Sequence, residues 1–223
     1  MNDLDPELRR NIRRTVALLL AFAAVLIGGL IYRLAQPRIL NPYELRAQHV
    51  FLVDPPRPVP ALSLIDQNGR PFTEAQLQGH WTLAFFGFSH CGDICPTTLA
   101  TLGTMYQALS PRERQDLRVI FVSVDPARDT PPVLAAYVAR FNPEFLGITG
   151  EPARLLKVAI EWQAGFSPAA AGGGTDYQVE HTGNLVLINP RGELHAQLVP
   201  PFEHGSLRVV WQSLRATWRR EHD

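Results

Sequence analysis

Apolar residues fall along this chain in distinct patterns, and each predicts a different kind of element. Residues 15–32 (TVALLLAFAAVLIGGLIY) form a run of 18 uncharged, largely apolar positions between Arg13-Arg14 and Arg33. Coiled as a helix the run is about 27 Å long, close to the ~30 Å hydrocarbon core of a bilayer, and predicts a transmembrane span over residues 15–33. Residues 81–88 (WTLAFFGF) and 117–124 (LRVIFVSV) are shorter and almost continuously apolar, as expected of strands buried on both faces. Residues 96–109 instead place Leu99, Leu102, Met105, Tyr106 and Leu109 at helical spacing.

The remaining pattern fills in around these. Segments 61–65 and 70–72 flank Asp66-Gln67-Asn68-Gly69, a hairpin signal, and a second hairpin is predicted over 185–189 and 193–198 around Pro190-Arg191-Gly192. Helices are expected at 131–141, 151–162 and 206–218, with a short strand at 145–148. Strands alternating with helices, followed by an antiparallel hairpin, predict an α/β domain. With a cysteine motif after an early central strand, that order is thioredoxin-like with an added hairpin.

Organisation follows from the apolar run and the prolines. A cleaved signal peptide would have a shorter apolar region and a small-x-small site, but Arg33-Leu34-Ala35 carries arginine where a small residue is wanted, so the span is expected to stay as an anchor. Arg9, Arg10, Arg13 and Arg14 precede it, against Arg33, Arg38 and Arg46 after it. This bias predicts a cytoplasmic tail over 1–14 and a single-pass protein of the cytoplasmic membrane, its domain facing the periplasm or extracytoplasmic side. Residues 34–60, ending Asp54-Pro55-Pro56-Arg57-Pro58-Val59-Pro60, are expected to be a proline-containing tether, and 61–223 the globular domain. With 21 basic and 21 acidic residues the chain offers no basic surface for nucleic acid. Ala169-Ala170-Ala171-Gly172-Gly173-Gly174 lacks the lysine of a phosphate-binding loop, which removes a nucleotide site.

The chemistry is expected at Cys91 and Cys95, the two cysteines of the chain, in Gly87-Phe88-Ser89-His90-Cys91-Gly92-Asp93-Ile94-Cys95-Pro96. A thiol at the N-terminus of the following helix meets unpaired N–H groups that favour a thiolate. Three intervening residues depart from the C-x-x-C redox spacing. On a regular helix, positions i and i+4 hold their Cβ atoms roughly 5–6 Å apart, wide for a relaxed disulfide, whereas a metal tolerates the wider gap. Metal binding, disulfide exchange and two inert buried thiols all remain open on spacing alone. Among the histidines, His90 adjoins Cys91, and His181 follows a glycine-rich loop able to carry it toward the cysteines; His49, His80, His195, His204 and His222 read as surface or structural residues.

Three ordered stretches resemble the Sco/SenC family of copper-handling proteins. They are the cysteine motif, then Val124-Asp125-Pro126-Ala127-Arg128-Asp129-Thr130-Pro131, then Asp176-Tyr177-Gln178-Val179-Glu180-His181-Thr182. The resemblance covers about residues 61–220 and implies a membrane-anchored thioredoxin-like domain holding one copper, as Cu(I) or Cu(II), through Cys91, Cys95 and His181. It further implies a metallochaperone serving the dinuclear copper centre of cytochrome c oxidase. Its partners would be the copper-accepting oxidase subunit and another periplasmic copper chaperone. Two departures stand out: Gly92 where proline is usual, and Glu180 where aspartate commonly precedes the histidine. The donor chemistry agrees, since thiolates suit Cu(I) and imidazole accepts either oxidation state. Asp125 is expected to hydrogen-bond near the site, as a second-shell group or as a turn cap. Two alternatives use the same cysteines: a thiol–disulfide reductase in which Cys91 and Cys95 are catalytic, and a copper or redox sensor.

Overall fold

The computed structural model describes residues 6–35, 38–165 and 182–222, which fall in two compact units, Met1–Ile39 and Leu40–Asp223. The first unit is helix α1 (Pro6–Ala35), within which Glu7–Arg33 is long and apolar enough to cross a membrane and is unburied by protein. An apolar surface of that size left uncovered by protein is what a lipid-facing helix requires.

The second unit runs α2 (Pro42–Ala47), β1 (Val50–Pro58), β2 (Leu64–Asp66), β3 (Pro71–Phe72), β4 (Trp81–Gly87), α3 (Ile94–Gln107), α4 (Pro111–Asp116), β5 (Leu117–Ser123), α5 (Pro131–Ala139), β6 (Leu146–Thr149), α6 (Pro152–Glu161), β7 (Leu185–Ile188), β8 (Glu193–Leu198) and α7 (His204–His222). Its strands form one mixed sheet in the order β1-β8-β7-β4-β5-β6-β2-β3. β4, β5 and β6 are parallel, and β7 joins β4 antiparallel. The parallel strands place their C-terminal ends, Gly87 and Ser123 in register, at one end of the sheet.

Side-chain alternation explains why the central strands carry so few polar positions. Leu83 and Phe85 of β4, Val119 and Phe121 of β5, and Leu185 and Leu187 of β7 point into one core with Leu99, Leu102 and Met105 of α3 and Val210, Trp211 and Leu214 of α7. Their neighbours Ala84, Phe86, Ile120, Val122, Val186 and Ile188 point into a second core with Leu155, Val158 and Trp162. With both faces covered, every residue of β4 is buried, and each large side chain contributes roughly 1.5–3 kcal/mol. A register slip of one residue would find apolar surface on either face, so hydrogen-bonding neighbours and side-chain shape set the register.

The stretch expected to be a tether is a correction. Asn41 accepts the Glu44 N–H at 2.9 Å while Glu44 Oε2 accepts the Asn41 N–H at 2.9 Å, a capping box that starts α2. Leu40, Leu45 and Val50 are buried, and β1 pairs antiparallel with β8 through Val50↔Leu198 and Arg57↔Leu194. The prolines that suggested a linker sit where a strand tolerates them: β1 is an outer strand of the sheet, and Pro55 and Pro56 lie inside its register shift between Leu52 and Arg57.

Candidate metal centre

Gly87 closes β4, and the chain turns back at once through a Cys91 N–H to Phe88 C=O hydrogen bond of 3.2 Å. Helix α3 begins after Asp93, so Cys91 belongs to the turn and Cys95 to the first turn of the helix. Asp93 stays exposed, its carboxylate accepting the Thr97 Oγ–H at 3.4 Å. Both thiols are free of a disulfide, Cys91 partly exposed and Cys95 buried, and the two side chains hydrogen-bond each other.

The position of Cys95 depends on a residue eight places earlier. A Cβ on Gly87 would stand 2.6 Å from Cys95 Sγ and 2.9 Å from Phe121 Cε2, so only a bare backbone lets the thiol lie against the strand end. Burial holds the Cys95 thiol far above the ordinary thiol range; Cys91 and the Asp129 carboxylate push the same way, and a backbone hydrogen bond from Phe88 opposes them. The helix N-terminus expected to favour a thiolate is outweighed here by desolvation. Cys95 therefore keeps its proton until a cation replaces it, which makes it a poor free nucleophile and a fitting metal ligand. Cys91, on the solvent side, is the sulfur that an incoming group meets first.

The carboxylate that acts on the thiols is Asp129, which sequence reading quoted within a motif without singling it out. It is fully buried and accepts the Ser89 N–H at 2.9 Å, the Ser123 Oγ–H at 2.6 Å and the Ser89 Oγ–H. Asp125 is also buried but pairs with Arg128, whose guanidinium lies 5.6 Å from the Phe88 ring centroid. Asp125 thus braces the loop after β5 against the residue that precedes the cysteine turn. The sequence signal for Asp129 was its spacing, four residues after Asp125, which closes the loop through an Asp129 N–H to Asp125 C=O bond of 2.9 Å.

His181, Tyr177 and Glu180 lie outside the described residues. The chain resumes with a Thr182 N–H to Gly165 C=O bond of 2.7 Å, and a Cβ on Gly183 would meet Ile94 Cδ1 at 2.8 Å. The residue two places after His181 thus packs on the residue before Cys95. Among the described residues no three histidine, cysteine or acidic side chains converge as a metal set. His195 is remote from the cysteines, edge-on to Trp81 at the opposite end of β4, with ring centroids 5.0 Å apart.

A mixed sheet with a thiol pair set between the end of its central strand and the helix that follows is the arrangement of a thioredoxin-like fold. Residues 54–211 match the SCO1/SenC family, and the chain belongs to it. A Stutzerimonas stutzeri protein named for copper binding is 38% identical over 162 residues, 73% of this chain and 79% of its own length. The mitochondrial SCO2 protein of Saccharomyces cerevisiae is 39% identical over 132 residues, 59% of this chain but 44% of that one, so the chain spans less than half of that relative. Among solved structures, copper-bound yeast Sco1 superposes with a TM-score of 0.65 at 32% identity, covering 75% of this chain and 96% of that one. Copper-bound ScoI of Arabidopsis thaliana gives 0.63 at 32% identity over 70% of this chain and 98% of that one.

Proposed function

We propose that this chain is a membrane-anchored copper carrier that holds one copper ion through Cys91, Cys95 and His181 and passes it to the dinuclear copper centre of cytochrome c oxidase. The observation that carries the reading is the pair of free thiols, Cys95 buried in the first turn of α3 and Cys91 partly exposed in the turn before it. A cation entering there repays the desolvation that a bare thiolate cannot, and two thiolates match the soft Cu(I) ion. His181 supplies the third donor in this reading, supported by the contact of Gly183 with Ile94. The copper-bound yeast and Arabidopsis relatives support the choice of metal.

Burial sets the order of release. An acceptor thiolate reaches copper on the side of the partly exposed Cys91, the Cys91–copper bond breaks first, and buried Cys95 lets go last and recovers its proton. Helix α1 keeps the carrier at the membrane, with the arginine-rich side of the span cytoplasmic and the domain outside.

The Cys91–Cys95 contact equally favours a second reading, a thiol–disulfide reductase that keeps the acceptor's cysteines reduced. The test is deletion of the gene followed by complementation. The carrier reading expects lost oxidase activity that added copper restores and that His181→Ala fails to restore. Full complementation by His181→Ala, with none by Cys91→Ser, would transfer the assignment to the reductase.

A further inference from the structure

Beside the cysteine pair, outside the three ligands assigned above, a hydrogen-bonded chain runs from the buried Asp129 carboxylate through Ser89 to the His90 ring. Ser89 is held at two points, its N–H and its Oγ–H both donating to Asp129. The His90 Nδ1 lies 2.9 Å from the same Ser89 Oγ. A serine hydroxyl has one proton, and here it is given to Asp129, so toward His90 the oxygen only accepts. Nδ1 must then carry the ring proton, and Nε2 keeps its lone pair. His90 is exposed, and Nε2 has no partner among the described residues.

We infer that His90 is a capture ligand for Cu(II): its Nε2 takes the aquated ion first and hands it to Cys91. An imidazole held at one nitrogen by an acceptor backed by a carboxylate, with the other nitrogen free, is the arrangement that orients metal-binding histidines. A solvent-facing histidine needs no such chain for its own satisfaction. The turn adds proximity, since the Cys91 N–H to Phe88 C=O bond closes a four-residue loop in which His90 immediately precedes the accessible thiol. Imidazole suits Cu(II), whereas Cys95 is fully buried and cannot offer a first bond to an ion arriving from solvent. In the handover Nε2 replaces a copper-bound water, the Cys91 S–H proton leaves to solvent as the copper–sulfur bond forms, and Nε2 is released.

The inference rests on the copper reading, and the experiment separates the two. Full-length protein in detergent is mixed with aqueous Cu(II) under stopped flow, and growth of the sulfur-to-copper charge-transfer band is followed for wild type and His90→Gln. Uptake by His90→Gln should be about tenfold slower, with millimolar free imidazole restoring much of the rate. Electron paramagnetic resonance of samples frozen early in uptake should show one coupled nitrogen fewer in the variant. Ser89→Ala, which leaves the ring in place and removes its anchor, should slow uptake by a smaller factor. Wild-type uptake rates and an unchanged nitrogen count in His90→Gln would overturn the inference. Wild-type protein that develops no band would instead overturn the copper reading beneath it.

Discussion

Substitution of Gly87 by alanine tests how the fold builds the thiol pair, because the site has no room for a single methyl group. The added Cβ would meet Cys95 Sγ at 2.6 Å and Phe121 Cε2 at 2.9 Å, both inside any relaxed contact distance. Neither neighbour can step aside freely. Cys95 and Phe121 are fully buried, and the Phe121 ring is confined by Phe85 at 6.1 Å and Tyr137 at 5.3 Å between centroids. Overpacking of this kind costs about 1–3 kcal/mol. Replacing glycine by alanine returns ~0.4–1 kcal/mol by restricting the unfolded chain. The net loss of about 1–2 kcal/mol should lower the melting temperature by roughly 2–8 °C. The displaced Cys95 sulfur should also lose its contact with Cys91, so that the two thiols react separately with an alkylating reagent. Gly92→Ala is the control, since nothing lies within 4 Å of its added Cβ, and should stay within about 0.5 kcal/mol of wild type. A Gly87→Ala protein that melts with wild type and alkylates at the wild-type rate would refute the packing argument.

Burial lowers the His195 pKa to about 4, against roughly 6.5 in an unfolded chain. The unfolded state therefore binds more protons between those values, and stability should fall as pH drops through the window, by about 2 kcal/mol from pH 7 to pH 5. Urea unfolding at the two pH values, with His195→Gln losing this component, checks it. Tyr137 carries a buried hydroxyl with no hydrogen-bond partner among the described residues. Tyr137→Phe should accordingly be neutral or stabilising by up to about 1 kcal/mol in a thermal melt, and a larger loss would mean the hydroxyl is engaged. A chain beginning at Leu40 should fold, whereas one beginning at Ala61 loses β1, uncovers the edge of β8 and forfeits Leu40, Leu45 and Val50, a cost of roughly 5 kcal/mol seen as a lower urea midpoint or aggregation.

The sequence made the centre of the fold legible because β4, β5 and β7 are apolar at consecutive positions, a pattern that requires cover on both faces. The helix after the cysteine motif was equally readable from the helical spacing that begins at Pro96, although it starts two residues earlier, at Ile94, and so takes in Cys95. The edge was not. Pro55, Pro56 and Pro58 outweighed the short apolar run Val50-Phe51-Leu52-Val53 that opens β1, while the Asn41-Pro42-Tyr43-Glu44 and Ser110-Pro111-Arg112-Glu113 capping boxes went unread although both helix starts were spelled out. At the site, the cysteine pair and the loop after β5 came from motif spacing. The protonation of Cys95 did not, because it follows from the empty space at Gly87 and the depth of the thiol, which exist only once the sheet has formed. Asp129 escaped for a similar reason: its partners Ser89 and Ser123 come from two other segments, and only the parallel pairing of β4 with β5 brings them together.

The central claim, one copper on two thiolates and one imidazole, is tested most directly by metal analysis of the purified full-length protein after loading with Cu(I) or Cu(II) and exhaustive dialysis. Wild type should retain one copper per chain in either state. Cys91→Ser and Cys95→Ser should retain none, and His181→Ala should keep Cu(I) while losing most Cu(II), because two thiolates suffice for the soft ion and Cu(II) demands nitrogen. Stoichiometric copper on a double Cys91→Ser, Cys95→Ser protein, or undiminished Cu(II) on His181→Ala, would contradict the assignment.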